Sequence, residues 1–127
     1  MKYILTIALL VLSLGVFAQE NNGPAKFAEM KHEFGKIPQG KPVTTEFSFT
    51  NTGTKPLIIE TAEAGCGCTT PDYPKAPIMA GKKGVIKVTY NAANGGPFTK
   101  DVRVKFAGTQ LPVTLMITGE VEAKKGK

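Results

Sequence analysis

The two cysteines of this chain are its most reactive side chains, and only Gly67 separates them. In an extended strand the Cα atoms of Cys66 and Cys68 would lie about 6.6 Å apart, whereas a disulfide favours about 5.5 to 6 Å. Gly67 can bend the chain at little cost, which would allow the two sulfur atoms to bond. Three roles are open: a disulfide or thiol pair that shapes the loop, a pair that exchanges disulfides with a partner, and a soft-metal site.

The metal interpretation needs further ligands, because two thiolates suit Cu(I) or Zn(II) but a closed zinc site has four donors. His32, the only histidine, is the third candidate, and three methionines are further donors: Met30, Met79 and Met116. The candidate metal ligands are therefore Cys66, Cys68 and His32. A plainer interpretation makes His32 a strand residue bonded to nearby backbone groups. No other cofactor is expected.

The remaining polar residues do not suggest a catalytic site. Glu60 and Glu63 flank a predicted strand end and Asp101 alternates with basic residues, so no carboxylate pair points to a glycosidase. No glycine-rich stretch opens a helix, so no phosphate cradle is expected. With one histidine and no nucleophile motif, the sequence predicts a protein that is not an enzyme.

The first 18 residues have the features of a signal peptide. Lys2 precedes an apolar run over residues 4–16, and Val16-Phe17-Ala18 supplies small residues at a cleavage site. The run is shorter than the roughly 20 residues of a membrane-spanning helix. We therefore expect cleavage before Gln19, no membrane span afterwards, and a periplasmic or secreted protein.

The charge of the chain is positive but dispersed. The formal net charge is +6, from 16 Lys and Arg against 10 Asp and Glu. Three of the lysines lie in the tail at 123–127, and Arg103 is the only arginine. A nucleic-acid-binding domain would cluster its basic residues on one face with aromatic residues between them. We therefore expect no nucleic acid as a partner.

Alternating apolar and polar residues predict several β-strands. Val43–Phe49, Val85–Tyr90 and Phe98–Phe106 follow the period of two that is typical of half-buried strands. Leu57-Ile58-Ile59 suggests a strand buried on both faces, and Phe27–Phe34 suggests a first strand stopped by Gly35. The last strand, at residues 111–121, has Leu111 on its inner face. Proline cannot donate to a ladder, so Pro112 belongs either at the first residues of the strand or on a sheet edge.

Strands at about ten-residue spacing with no helical pattern predict an all-β fold, an Ig-like antiparallel β-sandwich of about seven strands. The chain has no tryptophan and its cysteines are neighbours, so the inter-sheet disulfide of antibody domains is not expected. The predicted layout is a signal peptide at 1–18, a flexible lead-in at 19–26, the domain at 27–122 and a basic tail at 123–127.

Several motifs occur in a recognisable order: His32-Glu33-Phe34-Gly35-Lys36-Ile37, Phe47-Ser48-Phe49-Thr50-Asn51-Thr52-Gly53, Cys66-Gly67-Cys68-Thr69-Thr70, and Gly96-Pro97-Phe98. In this order they resemble the bacterial family called domain of unknown function 1573, itself related to Ig-like domains of the ASH, Hydin and PapD type. Glu33 stands where that family more often has aspartate. The resemblance covers about residues 27–122. It implies an Ig-like sandwich in an exported bacterial protein, and no established activity.

Two functions from different classes follow as hypotheses. The favoured one is an exported, non-enzymatic accessory or protein-binding module, whose partner is another envelope or secreted protein and which binds a partner strand at a sheet edge. The alternative is thiol redox chemistry or soft-metal handling through Cys66 and Cys68. The oligomeric state does not follow from the sequence.

Overall fold

The computed structural model describes residues 24–123 of the 127-residue chain. The predicted signal peptide at 1–18 lies outside the described residues, as do most of the lead-in and of the basic tail. The described residues form eight strands: β1 (Ala25–Phe27), β2 (Lys31–Pro38), β3 (Val43–Asn51), β4 (Ile59–Ala64), β5 (Thr69–Asp72), β6 (Lys83–Tyr90), β7 (Gly96–Phe106) and β8 (Val113–Glu122). Residues 24–123 contain no helix long and apolar enough to cross a membrane.

The strands form two four-stranded sheets. The first sheet has the order β1-β3-β6-β5 and the second has the order β2-β8-β7-β4. The neighbouring strands run antiparallel, except for β2 and β8, which run parallel. The predicted all-β, Ig-like sandwich is therefore confirmed, with eight strands rather than about seven.

The core lies between the sheets and is built from the alternating strands. Phe47 and Phe49 of β3 are each 1% exposed, and the apolar inner residues of β6 and β7 are 7% exposed or less. The rings of Tyr90 from the first sheet and Phe98 from the second stack with centroids 4.0 Å apart. Burial of these apolar faces is the main stabilising contribution to the sandwich.

The first predicted strand is divided between the two sheets. β1 pairs with β3 in the first sheet, and after residues 28–30 the chain enters the second sheet as β2. Gly35 does not stop β2; it lies within the strand with a φ of 72°, at a register shift between Glu33 and Lys36. Glycine adopts this left-handed conformation without a steric penalty, so it permits a β-bulge rather than a strand end.

Two predicted burial patterns are wrong. Ile58 is 43% exposed, because its neighbours Leu57 and Ile59 are the two residues that turn inward, at 3% and 6% exposed. Leu111 is 79% exposed, because it lies in the turn before β8 rather than on that strand's inner face. Alternation of buried and exposed residues therefore extends through Ile58, which faces solvent, whereas Leu111 precedes β8 and takes no part in the alternation of that strand.

Of the two positions predicted for Pro112, the start of its strand and a sheet edge, the sheet edge is wrong. β8 lies inside the second sheet, with β2 on one side and β7 on the other. Pro112 precedes Val113, the first residue of the strand, so its missing N–H removes no bond from either ladder. The edge strands of this sheet are instead β2 and β4.

At each lateral edge of the sandwich the chain passes from an edge strand of one sheet to an edge strand of the other. On one side the chain passes from β1 to β2, and on the other it passes from β4 to β5 through Gly65–Cys68. The cysteines therefore lie at a corner of the sandwich, between the edge strand of one sheet and the edge strand of the other.

Candidate functional site

The cysteine corner is a tight turn closed by a disulfide. Cys66 and Cys68 are bonded through their sulfur atoms, and their Cα atoms lie 5.3 Å apart. This separation is shorter than an extended strand allows, because the chain turns and Thr69 N donates a hydrogen bond of 3.4 Å to Cys66 O. Both cysteines are half-buried, whereas Gly67 is exposed and has open space where a Cβ would lie.

The turn is anchored to the strands on both sides. Gly65 N donates to Asp101 O of β7 at 3.4 Å, and Asn91 N, just after β6, donates to Cys68 O at 2.9 Å. These bonds attach the corner to both sheets. The backbone of Cys66 and Cys68 is thus held by the scaffold as well as by the disulfide.

The side chain of Thr69 contacts both sulfur atoms. Its Oγ1 lies 3.8 Å from Cys66 Sγ and 3.7 Å from Cys68 Sγ, and the residue is only 4% exposed. The sequence did not single out this residue, although Thr69 directly follows the second cysteine. Only the turn geometry shows that its side chain points back to the disulfide.

The structure does not bring His32 to the cysteines. His32 lies on β2, whereas the cysteines follow β4, and these are opposite edge strands of the second sheet. Three strand spacings separate the two edges, which is about 14 Å. The predicted ligand set of Cys66, Cys68 and His32 is therefore not assembled. Residues 24–123 contain no group of three or more His, Cys, Asp or Glu side chains that could hold a metal ion.

The surroundings of His32 are those of a strand residue. Its ring meets the ring of Phe34 edge to face, with centroids 4.7 Å apart, and Nδ1 lies 3.6 Å from a carboxylate oxygen of Glu29. Two of the methionines lie on the same side of the molecule, since Met116 N donates to Met30 O at 2.9 Å. Met79 lies in the β5–β6 connection and is 55% exposed.

A second candidate site is the outer edge of β2. Just beyond its two ends, Met116 N donates to Met30 O and Gln39 N donates to Glu122 O. These bonds continue the β2–β8 pairing, which runs from Lys31–Met116 to Pro38–Glu122. Backbone groups of a strand alternate between its two edges, so the N–H and C=O groups of Lys31, Glu33 and Lys36 face away from β8. Within residues 24–123, β2 pairs with β8 alone.

A shallow hollow lies beside this edge, on the outer face of the second sheet. In the bulge, Phe34 and Gly35 lie opposite Gly119 of β8, between the pairs Glu33–Thr118 and Lys36–Glu120. Gly35 has no side chain to fill the space beside the bulge, where a Cβ would meet no other atom within 4 Å. The resulting hollow has a volume of about 390 Å³ and is lined in part by Gly35, Lys36, Thr99, Thr118 and Gly119.

Sequence comparison assigns this chain to a family. The model of the family described as "Protein of unknown function (DUF1573)" matches residues 25–121. The chain belongs to the DUF1573 family. The resemblance noted from the sequence motifs is therefore confirmed, and the match covers all eight strands except the last residue of β8. No curated protein matches the chain in sequence.

Solved structures with the same fold come from distant organisms. A protein of unknown function from Porphyromonas gingivalis W83 is 12% identical with a TM-score of 0.66, over 77% of this chain and 46% of that one. PapD-like domain 7 of human CEP192, an ASH/PapD-like domain, is 8% identical with a TM-score of 0.65, over 80% and 87%. The Vibrio cholerae VesB protease is 14% identical with a TM-score of 0.61, over 77% and 32%.

These likenesses establish the fold and not an activity. The chain spans less than half of the Porphyromonas and Vibrio proteins, and at these identities a shared fold does not imply shared chemistry. Its match to the CEP192 domain is nearly end to end for that domain. DUF1573 proteins such as this one are Ig-like domains of unknown function, and the site residues must supply any more specific inference.

Proposed function

We propose that this DUF1573 chain is an exported, non-enzymatic module that binds an extended segment of another envelope or secreted protein. The observation that carries the proposal is the outer edge of β2, where the backbone groups of Lys31, Glu33 and Lys36 lack a neighbouring strand among the described residues. An added strand would form main-chain hydrogen bonds there, which is a recurrent mode of peptide recognition.

The hollow beside β2 supports this choice of edge. In strand addition, main-chain bonds provide affinity and pockets for alternate side chains provide specificity. The hollow lies next to the bulge and is lined by residues of β2, β7 and β8. A long side chain on the outer face of a strand paired with β2 would lie next to Glu33 and Lys36, which line the hollow on its β2 side, and can reach into it from there.

The other edges of the sandwich are less suitable for an added strand. β1 has three residues, β5 has four and includes Pro71, and β4 has six, against eight in β2. Charged side chains and a bulge on β2 limit indiscriminate pairing, as they do on other exposed edges. The partner segment should therefore carry charges that complement Lys31, Glu33 and Lys36.

Two observations support a location outside the cytoplasm. The sequence of residues 1–18 has the charged start, apolar run and small residues of a signal peptide. Cys66 and Cys68 form a disulfide, and disulfides persist mainly in oxidising compartments. We infer that the module works in the periplasm or after secretion.

The proposal is tested by capturing partners from an envelope extract of the organism that encodes the chain. Glu33→Pro removes an outward N–H from β2, and Ala62→Pro makes the matched change on the opposite edge strand, β4. Thr99→Trp fills the hollow, with Thr114→Trp on the same sheet face as its control. Circular dichroism and thermal unfolding establish that each variant is folded.

We expect one or more proteins to be retained by the unmodified chain, by Ala62→Pro and by Thr114→Trp, but lost with Glu33→Pro and weakened with Thr99→Trp. Dependence on β2, and not capture alone, is the supporting result. Retention that is the same with folded Glu33→Pro and Thr99→Trp variants would overturn the proposal.

A further inference from the structure

The disulfide corner has a feature that its role in shaping the loop does not require. The hydroxyl of Thr69 is buried against the two sulfur atoms, at 3.8 Å from Cys66 Sγ and 3.7 Å from Cys68 Sγ. These two contacts are the hydrogen-bond partners of that hydroxyl among the described residues.

A neutral disulfide is a poor partner for this hydroxyl. Sulfur in a neutral state is a weak acceptor, and a buried hydroxyl loses its bonds to water. A thiolate is a charged acceptor, and hydrogen bonds to charged groups are roughly twice as strong as neutral ones. The position of Thr69 is therefore more complementary to a thiolate at residue 66 or 68 than to the bonded pair.

We propose that Cys66 and Cys68 form a thiol-exchange site and that the Thr69 hydroxyl stabilises the sulfur that leaves. A thiolate of a partner protein attacks one sulfur and forms a mixed disulfide. The other sulfur departs as a thiolate, which accepts a hydrogen bond from the Thr69 hydroxyl. A second thiol of the partner then displaces the first sulfur. The partner dithiol becomes a disulfide, and Cys66 and Cys68 together gain two electrons and two protons.

The geometry of the corner suits such an exchange. Both cysteines are half-buried rather than fully enclosed, and the space outside Gly67 is open to an approaching thiol. The hydroxyl is almost equally distant from both sulfur atoms, so it can donate to whichever one leaves. Bonds from Thr69 N and Asn91 N hold the turn, so the two thiols stay close after reduction.

This site is independent of the proposed binding edge. The cysteine corner adjoins β4 and β5, whereas the binding edge is β2, on the other side of the second sheet. A variant of one site therefore leaves the other unchanged. Failure of either proposal can be recognised without reference to the other.

Exchange is measured with glutathione on the protein exported from the full 127-residue chain and purified without reductant. Samples are equilibrated in mixtures of reduced and oxidised glutathione, quenched, alkylated and weighed as intact protein. Reduction consumes two glutathione thiols and produces one glutathione disulfide for each Cys66–Cys68 bond. The rate of the approach to equilibrium is followed in the same samples.

The variants compared are Thr69→Val, which removes the hydroxyl at nearly constant shape, Thr69→Ser, which keeps it, and Thr70→Val, which removes the exposed neighbouring hydroxyl. We expect Thr69→Val to slow reduction about tenfold, since hydrogen bonds to charged groups have effects of at least this size. Thr69→Ser and Thr70→Val should stay within about twofold of the unmodified chain.

Two results would overturn the proposal. One is a disulfide that millimolar glutathione does not reduce in the folded protein. The other is a Thr69→Val variant that is reduced as fast as the unmodified chain, which would leave Thr69 a purely structural role.

Discussion

Asn51 donates a hydrogen bond of 2.9 Å from its side-chain Nδ2 to the backbone oxygen of Ile78. The same nitrogen donates to Lys55 O at 2.8 Å, and Oδ1 accepts from Gly53 N at 3.0 Å. The residue is fully buried at the end of β3. One amide side chain thus joins the β3–β4 turn to the β5–β6 connection.

We expect Asn51→Leu to lower the free energy of unfolding by about 3 kcal/mol, because three part-buried backbone groups each lose a hydrogen bond worth about 1 kcal/mol. Urea denaturation of the purified domain measures the loss. The control is Thr52→Ala, which removes one exposed hydrogen bond to Pro24 O and should cost less than about 1 kcal/mol. Equal losses in the two variants would contradict this role of Asn51.

A second stability prediction concerns Gly119 of β8, which lies opposite the bulge in β2. A Cβ on Gly119 would lie 2.7 Å from Phe98 Cζ and 3.0 Å from Gly35 O. Phe98 is stacked on Tyr90 and the backbone of Gly35 is fixed in the bulge, so neither can move freely. We expect Gly119→Ala to destabilise the domain by about 1 to 3 kcal/mol through overpacking.

The matched control for that change is Gly95→Ala, since a Cβ on Gly95 meets its nearest neighbour, Ala123 Cβ, at an ordinary 3.5 Å. Thermal or urea unfolding compares the two variants. If Gly119→Ala is as stable as Gly95→Ala, the close approach of Phe98 does not constrain β8 as described.

The disulfide should contribute little to stability, because it closes a loop of only three residues. Loop-closure entropy for so short a loop amounts to about 1.5 kcal/mol, against about 3 kcal/mol for a 15-residue loop. We expect the unmodified chain to stay folded in a phosphine reductant and to lose about 1.5 kcal/mol at most.

Urea denaturation with and without the reductant gives this difference directly. A double variant, Cys66→Ala with Cys68→Ala, serves as the control and should not respond to the reductant. If the unmodified chain unfolds on reduction, the disulfide, and not the backbone hydrogen bonds of the turn, holds the corner together.

Much of the fold could be predicted because its strands have strong local patterns. Val43–Phe49 alternates without interruption, and Phe47 and Phe49, which the period of two placed on one face, are buried in the structure. The family resemblance was carried by motifs spread along the whole domain, and the match over residues 25–121 bears it out. Local sequence was sufficient wherever one face of a strand was apolar and the other polar.

The errors arose where pairing within the sheet decides where a strand ends or whether it lies at an edge. The sequence pattern predicts that a strand ends at Gly35. In the structure β2 continues past Gly35, because it pairs with β8 on both sides of a bulge. Pro112 allowed either the start of a strand or a sheet edge. In the structure it directly precedes β8, and β8 lies between two other strands of its sheet. Strand order depends on long-range pairing, which short sequence windows do not report.

The candidate site was predicted only in part. The cysteines were identified from their spacing, but Thr69 acquires its role because the turn directs its hydroxyl towards both sulfur atoms. His32 was offered as a metal ligand because it is the only histidine, whereas the topology places it on the opposite edge strand. Nothing in the local sequence around His32 encodes that separation.

The claim that β2 binds a partner strand is tested most directly by site-specific photo-crosslinking in living cells. A photoreactive amino acid is placed at Lys31 on β2, and separately at Glu63 on β4, both of which are exposed. We expect a discrete crosslinked product with another envelope protein from position 31 and none from position 63. Absence of a product at position 31, or equal products at both positions, would contradict strand addition at β2.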